Sequence, residues 1–91
     1  MDKGKRYPEK RDIRAIAILL ATQAMIHLGA IADPLHGQKA VQIEGARFYI
    51  DLLAELQGKT RGNLQAEDAA FITDTLANLQ GILGKKETEQ P

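Results

Sequence analysis

Apolar residues recur at helical spacing in three blocks of this chain, separated by connections rich in Gly, Pro, Asp and Asn. Residues placed at 100° intervals give each block a face. In the last block, about 64–83, Phe71, Ile72, Leu76, Leu79, Ile82 and Leu83 share one side, and Asp74, Asn78 and Gln80 lie elsewhere. That is the pattern of an ordinary surface helix. In the middle block, about 43–57, Ile43, Ala46, Phe48, Tyr49, Ile50, Leu52, Leu53 and Leu56 cover more than half of the circumference. Glu44, Arg47, Asp51 and Glu55 form a narrow polar stripe whose i,i+3 and i,i+4 spacings suit solvated ion pairs.

The first block, about 12–30, is different. From Ala15 to Ala32 no charged residue occurs in 18 positions, and Ile13, Ile16, Ile18, Leu19, Leu20, Met25, Ile26 and Leu28 point in every direction. A helix that is apolar all round must be buried all round. Two other helices of the same chain cannot surround it, so it either meets other copies of itself or enters a membrane. Eighteen residues reach about 27 Å, the lower limit for a bilayer. Seven Ile and Leu residues supply only a few kcal/mol of insertion energy (about 0.3–0.6 kcal/mol each), and Thr22, Gln23 and His27 near the middle oppose it. Self-association in water is therefore the expectation. Ala17, Ala21 and Ala24 on one face allow close helix approach, with Ile16, Leu20 and Ile26 as the larger interface residues.

The punctuation between blocks is legible. Asp12 is a plausible N-cap, Gly29 lies near the first stop, and Asp33-Pro34 enforces that stop because the residue before proline avoids the α region. Asp33, Pro34 and Gly37 have the chemistry of a turn. Lys39–Gln42 is too short to assign as a strand. Gly58 is expected to end the second helix and Gly84 the third. Residues 1–11 read as a disordered polar arm and 85–91 as a frayed charged tail, leaving one helical domain over 12–84.

Composition narrows the function classes. Of the 91 residues 44% are hydrophobic, but thirteen are alanine, which favours helix and buries little surface. A monomer of this size and content is marginal. There is no cysteine, hence no disulfide and no thiolate chemistry or cysteine zinc site. Twelve basic residues balance twelve acidic ones, so no general attraction to nucleic acid or anionic lipid is expected. A basic cluster of Lys3, Lys5, Arg6, Lys10, Arg11 and Arg14 is diluted by Asp2, Glu9 and Asp12, and Tyr7 alone makes no stacking platform. The N-terminal stretch lacks the features of a signal peptide, which makes the cytoplasm the expected compartment.

Polar positions offer few candidates. Gln23 and His27, four apart on one face, read first as a hydrogen-bonded pair that fixes helix register and second as a general base or ligand. Asp51 sits in the polar stripe of the middle helix with no second carboxylate at a useful spacing. His27, Asp33 and His36 match no metal-ligand rule, and no metal or cofactor is expected. In Lys59-Thr60-Arg61-Gly62-Asn63, Lys59 and Arg61 beside a glycine before a helix could hold an anion. The bland alternative is a connection with Gly62 at positive φ and Asn63 capping the third helix. The order of a P-loop is missing, as are a nucleophile elbow, a Rossmann fingerprint, HExxH and an EF-hand loop.

Gln23-Ala24, His27-Leu28-Gly29, Asp33-Pro34, Gly37, Ala46, Ile50-Asp51, Leu53, Leu56, the run Lys59–Leu64, Glu67, Leu76 and Leu79 together resemble the DUF1844 family, short bacterial proteins of unknown function. The resemblance covers about two thirds of the chain. Gln65 departs from it, standing where the family often has Thr ahead of acidic residues. The resemblance implies a small all-helical cytosolic protein and no particular activity.

The sequence thus predicts an all-α protein in which helices 1 and 2 form an antiparallel hairpin, helix 3 packs across it, and copies assemble into a homo-oligomeric bundle. An interface of roughly 700–1,000 Å² per chain is expected. The function it favours is a non-enzymatic, self-associating interaction or scaffold module, with itself and a possible further protein as partners. The alternatives are an anion- or nucleotide-binding protein or small enzyme using Lys59–Asn63 or His27 and Asp51, and a membrane-associated protein anchored by helix 1.

Overall fold

The computed structural model describes residues 12–35 and 37–89. Three helices follow in order: α1 (Ile13–His27), α2 (Ile43–Lys59) and α3 (Ala66–Glu89). No strand occurs among the described residues, which makes the protein all-α. The expected arm over 1–11, with most of the basic cluster, lies outside the described residues, as do His36 and the last two residues of the expected tail.

The start of α1 follows from its sequence. Asp12 is extended, and its carboxylate accepts the Arg14 backbone N–H at 3.1 Å, satisfying one of the orphan donors of the first turn. Its end comes at His27, earlier than the expected 30. Gly29 takes φ +78°, its N–H bonds the Ile26 carbonyl, and the Ala30 N–H reaches back to Met25, both at 3.0 Å. This is the Schellman arrangement, and the left-handed residue is where a glycine carries no steric penalty. A Cβ at Gly29 would also stand 2.9 Å from the Val41 side chain. That proximity goes with a single antiparallel bridge between Leu28 and Val41, all the sheet pairing that Lys39–Gln42 achieves.

The two other expected stops move. Gly58 lies inside α2, and the chain leaves the helix at Thr60, whose N–H and hydroxyl both bond the Leu56 carbonyl, at 3.1 and 2.7 Å. Positive φ falls instead on Gly62, at +84°. Gly84 does not end α3 either. The helix continues to Glu89, because Arg47 of α2 donates from Nε and Nη2 to Glu87 Oε2, at 2.8 and 2.5 Å, and holds that turn in place. Residues 85–89 are therefore helical rather than frayed. At its other end α3 begins at Ala66, not 64, and Gln65 accepts the first helical bond from Ala69 at 3.0 Å. Asn63 is therefore not the cap of this helix.

All three helices touch one another. Arg47 meets Glu87 and Gln57 meets Thr73 (3.0 Å), so α2 and α3 run in opposite directions. The described core is Ala17, Ala24, Leu28, Ala46, Ile50, Leu53, Ile72, Leu76 and Leu79. The molecule measures 15 Å along its shortest axis, room for no more than two helix layers at 8–10 Å spacing. Three of these nine core residues are alanine. Ala17 and Ala24 are fully buried inside the single chain, and Leu20 and Ala21 pack against the same core. The small-residue face assigned from the sequence to contacts between copies thus serves packing within one chain. Of the predicted interface set, Ile16 stays exposed and Ile26 half-buried.

Candidate functional site

The clearest polar construction is at the end of α1. His27 lies one turn after Gln23, and its Nδ1 bonds the Gln23 backbone carbonyl at 2.8 Å. Since a carbonyl only accepts, Nδ1 carries the hydrogen in this bond. The ring meets Tyr49 at 5.3 Å between centroids and packs, Cδ2 nearest, against Gly45 in the first turn of α2. A Cβ at Gly45 would be 2.2 Å from His27 Cδ2 and 2.8 Å from Nε2. The His27 carbonyl accepts the Gln42 N–H at 2.6 Å, just before α2 starts. The contacts with Tyr49, Gly45 and Gln42 therefore join α1 to the start of α2 through one residue, and the bond to Gln23 sets the ring that makes two of them. Gln23 contributes through its backbone, and the side-chain pair expected from the i,i+4 spacing is replaced by a side-chain-to-carbonyl bond.

Among the described residues, no hydrogen bond or ion pair joins His27 to Asp51, and no three His, Asp or Glu side chains converge to hold a metal ion. Asp51 is exposed on the polar stripe of α2. At the Lys59–Asn63 loop, Thr60, Arg61 and Gly62 line one side of a cavity of about 120 Å³ whose other walls include Leu64, Ile72 and Thr73. Lys59 Nζ lies 3.4 Å from Glu55 Oε2, one turn earlier in its own helix, and Arg61 is exposed. The start of α3 carries Glu67 and Asp68, which already meet the positive end of the helix dipole. A cavity of about 330 Å³ there is lined by Asp12, Arg14, Asn63, Leu64, Gln65, Glu67 and Asp68, three carboxylates to one guanidinium. An anion entering it would face net repulsion.

Arg14 escaped the sequence reading as a site residue. Its Nε donates to Asp68 Oδ1 at 2.7 Å and its Nη2 to Glu67 Oε1 at 2.9 Å, and the guanidinium carbon stands 5.7 Å from the centre of the Phe71 ring. The Asp68 hydrogen bond, aided by its charge and by Glu67, holds the Arg14 pKa above its ordinary value despite partial desolvation. A raised pKa on a base contributes stability that fades only as pH rises through it, here in strong alkali. Arg14 thus clasps the start of α1 to the start of α3 with a permanent charge. Neither Gly45 nor Arg14 carried a local signal, because each owes its role to a residue far along the chain.

The outer surface holds the most unusual feature. Ile16, Ile18 and Leu19 of α1 and Phe48 and Leu52 of α2 are exposed, Leu19 by 62% and Phe48 by 57%. In register, Phe48 and Leu52 adjoin the side of α2 that carries Gly45 and Tyr49, which is the side turned toward α1. No helix among the described residues is long and apolar enough to cross a membrane.

Residues 10–83 match the family described as Domain of unknown function (DUF1844), and the chain belongs to that family. No curated protein and no solved structure matches it. The family establishes no activity.

Proposed function

We propose that this DUF1844 protein is a non-enzymatic helical interaction module that associates with itself through the outer face of α1 and α2, and that it works in the cytoplasm. In this reading α1 and α2 form an antiparallel hairpin, closed at one end by His27 against Gly45 and Tyr49. The observation that carries the reading is the exposed apolar surface of Ile16, Ile18, Leu19, Phe48 and Leu52 on a thin molecule with a small core. Single apolar residues on a surface mean little, but five large ones exposed on two neighbouring helices are more than scatter and point to an interaction site.

The charge pattern favours a second copy as occupant. In a two-fold pair each surface meets itself, so like charges would be brought together. The 18 positions from Ala15 to Ala32 carry none. At roughly 25 cal/mol per Å², covering about 450 Å² of these five side chains gives a gross gain near 11 kcal/mol per chain, much of it offset by association and ordering costs.

Light scattering coupled to size exclusion tests the proposal. The expected mass is a multiple of the 10.0 kDa chain, falling toward that of a single chain in Leu19→Asp and Phe48→Asp. A natural protein that stays a stable single-chain particle at every concentration refutes it.

A further inference from the structure

The connection between α1 and α2 is ordered by its own hydrogen bonds. Asp33 Oδ1 accepts the Leu35 N–H at 2.9 Å, the Asp33 carbonyl accepts the Gly37 N–H at 2.6 Å, and the Asp33 N–H bonds the Gln38 carbonyl at 2.9 Å. Gly37 takes φ +67°. The base of the loop is fixed by the Leu28–Val41 bridge and the Gln42–His27 bond. This well-tied turn holds Leu35 at its tip with 88% of the residue exposed, more than any other large apolar residue described. Ile31 and Val41 of the same connection are exposed as well. A leucine presented on a pre-formed turn gains little from its own chain, and the ordering entropy that binding ordinarily costs has already been met in folding.

We infer that this turn is the anchoring element of the self-association, with Leu35 of each copy seated in a dent of the other. The inference rests on the proposed self-association and specifies its contact. The dent has a volume of about 200 Å³ and is lined by Ile26, Asp33, Gln38, Ala40 and Gln42. Ile26 and Ala40 supply its apolar lining, and the polar residues form the kind of hydrogen-bonding rim found around buried anchors. Ile26 follows Leu19 by seven residues on one line of α1, so the dent continues the exposed face of the helices.

Area argues for the same arrangement. With roughly 150–200 Å² for a fully exposed large side chain, the five helical residues offer about 450 Å². A standard interface needs about 800 Å² per partner. Ile31, Leu35 and Val41 add roughly 300 Å² on the same scale and bring the total near that requirement. Knob and dent belong to one loop, so a two-fold axis close to the loop lets both insertions form at once.

The absence of native cysteine makes the contact directly testable. A chain carrying Leu35→Cys mixed with a chain carrying Ala40→Cys should yield, on mild oxidation, a disulfide-linked species of two chains, with peptide mapping placing the link between positions 35 and 40. Sedimentation should show Leu35→Asp weakening self-association by roughly ten- to a hundredfold, the range of an anchor residue. Leu35 is exposed, so its helix content at low concentration should match the natural protein. An oligomer that persists at unchanged affinity in Leu35→Asp, yet dissociates in Leu19→Asp and Phe48→Asp, overturns this contact and leaves the self-association standing. A natural protein that is monomeric throughout overturns both, and sedimentation of that monomer with neutral lipid vesicles would identify a lipid surface as the occupant instead.

Discussion

Gly45→Ala should destabilise the fold even though alanine is the better helix former. In an open helix interior the change is worth about 1 kcal/mol in favour of alanine. Here the new Cβ would lie 2.2 Å from His27 Cδ2, 2.8 Å from Nε2 and 3.0 Å from Cγ. No real side chain tolerates that, so the ring must swing away. It then gives up the Nδ1 bond to the Gln23 carbonyl and the packing on Tyr49. A lost hydrogen bond costs about 0.5–1.5 kcal/mol, and forced repacking about 1–3 kcal/mol. The net destabilisation expected is therefore about 0.5–3.5 kcal/mol after the propensity gain is subtracted. The sharper consequence is a change of sign. With His27→Ala in place the three atoms nearest that Cβ are gone, and Gly45→Ala should then stabilise the protein by about 0.5–1 kcal/mol. Urea unfolding of the four proteins of this double-mutant cycle, at one fixed protein concentration, gives the coupling directly. Equal stabilisation by Gly45→Ala in both backgrounds would refute the argument that the glycine exists to admit the histidine ring.

Two further outcomes follow from the packing. Leu53→Ala removes a fully buried side chain from the core and should cost about 2–5 kcal/mol, a large share of the stability of a domain this small, as read by urea unfolding followed by circular dichroism at 25 °C. Arg14→Ala should lower the melting temperature by releasing the Asp68 and Glu67 contacts, and the difference from the natural protein should shrink in about 1 M salt, where the screening length is about 3 Å; a salt-independent loss would place the role of Arg14 in its packing on Phe71 instead.

Signals that act within a few residues could be read directly. Asp12 caps α1 as its residue type suggests, Gly29 and Asp33-Pro34 mark the first connection, and Gly62 takes positive φ as expected. The inward faces of α2 and α3 were legible as well, because polar stripes left one side for the core. Ala46, Ile50 and Leu53 of the one and Ile72, Leu76 and Leu79 of the other are all buried. Helix ends were less legible where a distant contact decided them. Gly84 looks like a stop, and Arg47, forty residues earlier than its partner Glu87, carries the helix beyond it. At the candidate site the sequence pointed to His27 and to Lys59–Asn63, and only the fold shows what surrounds each. Tyr49 and Gly45 pack against the first, and Glu55 pairs with Lys59 of the second.

The sequence by itself determined three helices, two turns and the uncharged girth of α1, since periodicity, caps and glycines act over one or two turns of chain. Only the tertiary structure decided which side of α1 faces inward. A helix apolar all round has no polar stripe to orient it, so shape chooses. The small side chains of Ala17 and Ala24 go to the crowded junction with α2 and α3, and Ile16 and Leu19 are left on the outside.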